Sequence, residues 1–135
     1  MTDLERPRRR RRLSQDRRSF ERLVAEALDS LPERIRRRLA NVAVVVEDEP
    51  SEAQREAVGL TAEEPLFGLY EGTPQTARTC GYGMVLPDKI SIFRGPIERF
   101  CCSRREMRSE VRQTVVHEFA HHFGIGDDEL DQLGL

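Results

Sequence analysis

Residues 103–124 narrow what this chain can fold into more than any other stretch. Apolar side chains recur at Val115, Val116, Phe119, Ala120 and Phe123, which is helical spacing and not strand alternation. Ser103, followed three residues later by Glu106, has the form of a capping box with Ser103 as N-cap and Glu106 as N3. Gly124 stands just past the last periodic residue, where a left-handed C-terminal cap belongs. The spacing therefore predicts one amphipathic helix of about five turns, closed at both ends by residues suited to stop it.

Its last two turns read His117-Glu118-Phe119-Ala120-His121, an H-E-x-x-H motif. Two histidines four apart lie one turn apart on the same helix face, so their imidazoles can converge on one metal ion. Glu118 stands beside the first of them, where a carboxylate can reach a water at the metal. Two imidazoles and a neighbouring carboxylate are the core of zinc-dependent peptide hydrolysis. His122 lies five residues from His117, about 140° round the helix, and faces elsewhere. It reads as a partly buried histidine or a group behind the ligands.

Catalytic zinc usually takes three protein ligands and keeps one position open. The spacing H-E-x-x-H-x-x-G-x-x-D makes Asp127 the favoured third ligand, because the glycine-bounded turn returns the chain toward the metal. Asp128, Glu129 and Asp131 are rivals, since Asp127–Asp131 resembles the start of a short terminal helix. No methionine follows Met107, so a Met-turn is not expected.

Upstream, Phe20, Leu23, Val24, Ala27, Leu28 and Leu31 form the apolar stripe of a first helix. Ser14 or Ser19 caps its start and Pro32 ends it. Residues 32–39 add a short helical segment with Ile35 and Leu39 inward. Val42–Val46 is β-branched and continuous, and predicts a strand buried on both faces. Residues 47–64 read as an acidic loop with one helical turn. Leu66–Tyr70 predicts a second strand, residues 72–83 a polar connection, and Lys89–Arg94 an alternating, half-exposed strand ended by Gly95-Pro96. A short helical segment near residues 97–102 leads into the motif helix.

A chain of 135 residues suits one domain, residues 19–135, able to bury a core without disulfides. Residues 1–18 carry Arg6, Arg8 to Arg12, Arg17 and Arg18 against Asp3, Glu5 and Asp16, and such a self-repelling block is expected to be a disordered tail. Arginine-rich arms can bind phosphate backbones. Here the formal net charge is -2 and no aromatics interleave with the arginines, so a solvated extension is favoured over a nucleic-acid arm. No apolar run spans a bilayer and no secretory signal is expected. Cys80, Cys101 and Cys102 make a poor disulfide framework and read as free thiols of a reducing cytoplasm.

The stretches Phe20–Pro32, Asn41–Pro50, Leu66–Pro74, Leu86–Pro96 and His117–Leu130 resemble those of the bacterial zincin-like metallopeptidase family, a set of very small zincins. The resemblance covers nearly everything after residue 19, and the final motif is its most specific part. It implies an α+β fold, a short twisted sheet of about three strands with helices packed on it, and peptidase activity on a peptide or protein substrate. It also implies that the substrate lies as an added strand along an exposed sheet edge, for which Lys89–Arg94 is the candidate, the alternative being an ordinary sheet edge protected by Lys89 and Arg94.

The expected chemistry is hydrolysis with one Zn²⁺ per chain on His117, His121 and Asp127, and Glu118 as general base. Tyr70, Tyr82, Arg94 and His122 are the candidates for stabilising an oxyanion or holding substrate. Two other classes compete. One is a metal-binding adaptor without turnover; the other is a nucleic-acid-associated protein acting through the arginine tail.

Overall fold

The computed structural model describes residues 17–61, 63–72 and 88–132. The first described element, α1 (17–29), is already helical at Arg17 and Arg18, which the charge pattern had assigned to the tail. Arg17 is held there by Glu21 one turn on and by Asp48 across the fold. Ser19 consequently lies inside the helix, and its hydroxyl accepts from Arg104 at 2.7 Å. Ser14 and the rest of the tail fall outside the described residues. The stripe itself packs as its spacing requires: Phe20, Leu23, Val24 and Ala27 are buried, with Leu31 beyond them. Pro32 ends the helix, and its carbonyl receives the N–H groups of Ile35 and Arg36, starting α2 (Glu33–Leu39) with Ile35 and Leu39 inward.

Three strands follow, β1 (Val42–Glu47), β2 (Gly68–Glu71) and β3 (Asp88–Phe93), with α3 (Glu52–Ala57) between the first two. Ser51 and Gln54 form a capping box that starts α3. The sheet is mixed and ordered β1-β3-β2, with β1 parallel and β2 antiparallel to β3. This corrects two expectations. Val42–Val46 is half-buried throughout, and among the described residues β3 is its one neighbouring strand. Lys89–Arg94 is no edge: β3 is the central strand, and Ile90, Ser91, Ile92 and Phe93 are all buried. The alternation of polar and apolar residues reported its two faces correctly. It could not report rank in the sheet, since a serine small enough to be covered looks the same in sequence as one facing water.

Ile90 and Ile92, with Val42, Val44, Val46 and Tyr70 beside them, face the helical layer. Across the opposite face, the Gln54 amide of α3 donates to Glu47 of β1 and Glu71 of β2, so that face is bridged by polar contacts and is not left bare. Gly95-Pro96 does not simply end β3. A helix, α4 (Arg94–Phe100), begins at once, with the proline in its first turn where its missing N–H costs nothing. Gly95 is needed there because a β-carbon would lie 2.8 Å from the Asp48 carbonyl oxygen.

The long helix α5 (Arg104–Phe123) runs beside α1 and under the sheet. Val111, Val115, Val116, Phe119 and Ala120 complete the core. Arg104, Arg108 and Arg112 lace its flank to Ser19, Glu26 and Ser30 of α1 and the turn after it. Against β2 the approach is closest at Gly68, where a β-carbon would lie 2.5 Å from Thr114 Cγ2. The chain ends its described part in α6 (Asp127–Gln132), anchored by Leu130. Among the described residues no helix is long and apolar enough to cross a membrane.

Candidate active site

Helix α5 starts and stops nearly as its sequence demands. Ser103 Oγ accepts from the Glu106 N–H at 3.1 Å, and Gly124 takes a left-handed φ of 66°. One detail differs from a strict capping box: the Glu106 carboxylate accepts from the Cys102 N–H at 2.9 Å, not from that of Ser103. Beyond Gly124, Ile125 donates to the Ala120 carbonyl at 2.8 Å and is itself buried, which folds the chain back along α5. Asp127 thus becomes the first residue of α6, exposed, beside the last turns of the motif helix.

His117 and His121 are both exposed, one turn apart on α5. Glu118 is half-buried and turned toward β2. The strand register explains what it meets there. Phe93 donates to the Phe67 carbonyl, so Phe67 and Phe93 are a hydrogen-bonded pair. Alternation then leaves Tyr70, opposite Ile90, as a non-hydrogen-bonded pair whose N–H points away from β3. The Glu118 carboxylate accepts that N–H. Burial pushes the Glu118 carboxyl above its ordinary range, while the Tyr70 N–H and the nearby His121 and His117 pull it back toward the charged form.

Two grooves meet at His117. One, of about 490 Å³, lies between α5 and α6 and is lined by His117, Asp127, Leu130 and Asp131. Asp128 and Glu129 do not line it. The other, of about 290 Å³, runs between α5 and the start of β2 and reaches Glu118. His117 and Asp127 therefore share one groove, and His117 and Glu118 the other. Among the described residues, no three His, Cys, Asp or Glu side chains converge closely enough to hold a metal. His121 and Asp127 are exposed, and two imidazoles with a carboxylate are a donor set suited to zinc.

His122 stacks on the Tyr70 ring, with centroids 3.9 Å apart, and packs against Gly72. The Tyr70 hydroxyl donates to Asp88 at 2.7 Å. These three residues tie β2 to the end of the motif helix, a short distance from Glu118. Arg94 is elsewhere. It is buried and paired with Asp48 and Glu98, in the same network that holds Arg17, and the structure does not bring it to the motif. Tyr82 and Cys80 lie outside the described residues, while Cys101 and Cys102 are free. The backbone contact from Tyr70 to Glu118 had no sequence signal, because any residue at that register offers the same N–H.

Comparison with known proteins agrees with this architecture. No curated protein matches the chain. A solved structure of a conserved hypothetical protein from Thermus thermophilus is similar at 21% identity and a TM-score of 0.50, over 79% of this chain and 92% of that one, which supports the fold alone. A family model for zincin-like metallopeptidases matches residues 39–135, from the end of α2 through the motif helix to the last residue. On that match, the chain belongs to the zincin-like metallopeptidase family.

Proposed function

We propose that this protein is a zinc-dependent peptidase working on extended peptide, with His117, His121 and Asp127 as metal ligands and Glu118 as general base. The observation that carries the reading is the placement of Glu118. It is a half-buried carboxylate between two exposed histidines and the side of β2 that faces away from β3. Zinc, when bound, would polarise the scissile carbonyl and make water acidic enough to be deprotonated near neutral pH. Glu118 accepts the proton of the attacking water and passes it to the leaving amine. Partial burial suits it to both steps, because a carboxyl raised from its ordinary range holds a proton more readily once it has taken one.

The substrate edge moves from β3 to β2. Gly68 and Tyr70 turn their backbone groups away from β3 on the Glu118 side, and a peptide strand laid there would be held by hydrogen bonds that do not depend on its sequence. In docking, such a strand would compete with Glu118 for the Tyr70 N–H and release the carboxylate toward the attacking water. His122 and Asp88 keep the Tyr70 ring, and with it β2, in register.

Glu118→Gln tests the reading. It keeps shape and hydrogen bonding and removes the base, so zinc content and folding should persist. Hydrolysis of a broad peptide library should fall by about two to four orders of magnitude. Equal turnover by both proteins would remove Glu118 from the mechanism. Stoichiometric zinc with no turnover by the wild type would leave a metal-binding adaptor instead.

A further inference from the structure

We propose that the groove between α5 and the start of β2 is a specificity subsite for a lysine or arginine side chain flanking the bond that is cut. The inference rests on the peptidase reading above and names its substrate class. Glu110, Thr114, His117 and Glu118 stand at successive turns on one face of α5, so the groove runs straight from Glu110 to the base and a ligand histidine. Its wall beside β2 is apolar: Leu66, Phe67 and the methyl of Thr114 offer contact to an aliphatic stem. Gly68 carries no side chain to fill it. At about 290 Å³ the space suits one long side chain and not a large folded element.

Charge decides which side chain. Two carboxylates, Glu110 and Glu118, line the groove and no lysine or arginine does. Glu118 is engaged by the Tyr70 N–H, whereas Glu110 is half-buried and pairs with no cation among the described residues. The arginines on the neighbouring surfaces are already committed: Arg108 to Glu26, Arg112 to Ser30, Arg99 to Glu49, and Arg55 to the carbonyls of Thr61 and Glu64. An acidic side chain in the groove would be repelled. A purely apolar one would strip water from Glu110 and return nothing. A basic side chain lays its methylenes on Leu66 and Phe67 and brings its charge to Glu110.

The test uses zinc-loaded wild type and Glu110→Gln on one peptide library, with cleavage sites read by mass spectrometry. Wild-type cleavage should concentrate at bonds with lysine or arginine in one fixed flanking position. The ratio of cleavage at basic to leucine-containing sites should fall about fivefold in Glu110→Gln, the scale of a partly exposed ion pair, and should shrink with added salt in the wild type. An equal ratio in the two proteins overturns the subsite while leaving the peptidase reading intact. If the wild type cleaves nothing, the peptidase reading fails, and binding of arginine- and leucine-containing peptides by fluorescence anisotropy then decides the subsite by itself. A salt-sensitive preference for arginine that Glu110→Gln removes supports the groove, and its absence overturns it.

Discussion

Gly68→Ala asks whether β2 and the motif helix behave as one unit. A β-carbon at residue 68 would lie 2.5 Å from Thr114 Cγ2, 3.0 Å from the Ser91 carbonyl oxygen and 3.4 Å from Ile92 Cδ1. Neither main neighbour can yield toward solvent: Ser91 is 0% and Thr114 8% exposed, and the carbonyl belongs to the central strand. Overpacking of this kind costs about 1–3 kcal/mol, and two immovable neighbours place this case near the upper half. For a domain of this length a loss of about 2.5 kcal/mol lowers Tm by about 8–12 °C. The function should suffer more than the fold. Moving α5 from β2 displaces Glu118 from the strand along which substrate is proposed to lie, while His117 and His121 travel together on the same helix. Zinc uptake should therefore persist in the variant while hydrolysis falls. Thr114→Ser removes the colliding methyl, so the double variant should regain about 1 kcal/mol relative to the sum of the single changes. Thermal denaturation and zinc analysis of the four proteins complete the cycle. A neutral Gly68→Ala, or strict additivity with Thr114→Ser, would refute the idea that this contact sets the spacing between strand and helix.

Replacing His117 and His121 together with alanine should abolish zinc binding, measured by metal analysis after dialysis; full occupancy would move the site elsewhere. Asp127→Ala and Asp131→Ala should each weaken zinc binding more than Asp128→Ala does, with Asp127 dominant, since only the first two share the His117 groove. Arg94→Gln should lower stability by about 1–3 kcal/mol, the cost of breaking a buried charge-assisted network, yet leave kcat/KM of the folded enzyme unchanged because Arg94 serves Asp48 and Glu98. Glu49 is held below its ordinary range chiefly by its hydrogen bond from Arg99. A depressed carboxylate contributes stability that is present above its unfolded pKa and is lost as pH falls through the folded one. Wild type should therefore exceed Glu49→Gln by at most about 1 kcal/mol near neutral pH, given two half-exposed partners, and the gap should close in acid. A gap that widened on acidification would contradict that assignment.

Helices were the most legible part of the fold. Phe20 to Leu31 and Val115 to Phe123 repeat at helical spacing, and Ser103 and Gly124 mark the two ends of α5, so local chemistry suffices to place α5 and the body of α1, though not the start of α1. Strands were legible as strands but not in their order. Lys89–Phe93 shows two faces in its alternation, whereas its central rank depends on which of β1 and β2 pairs with it, a matter settled at long range. The continuous apolar run of β1 suggested burial on both faces, yet the strand is half-buried throughout, with β3 alone beside it among the described residues. Within the candidate site, the placement of His117 and His121 one turn apart on α5 could be read because a helix converts sequence spacing directly into a shared face. Tyr70 was singled out for its side chain, yet the group that reaches Glu118 is its backbone N–H. No residue type announces such a group.

The third ligand shows where spacing arguments end. Asp127 and Asp131 are one turn apart on α6, and both line the groove that holds His117. Backbone position therefore favours Asp127 and Asp131 over Asp128 and Glu129 and leaves a choice between two carboxylates on one helix face. What separates the two is closeness to the Gly124 turn. Asp127 is the first residue after that turn and starts α6, so a small rotation of the short helix carries it toward the last turn of α5, whereas Asp131 must swing a full turn further from the pivot. Binding would then fix α6 against α5 through the metal, with Leu130 already seated between them. Zinc should on that account protect the α6 backbone from hydrogen exchange in wild type and much less in Asp127→Ala. Equal protection in both would pass the ligand to Asp131.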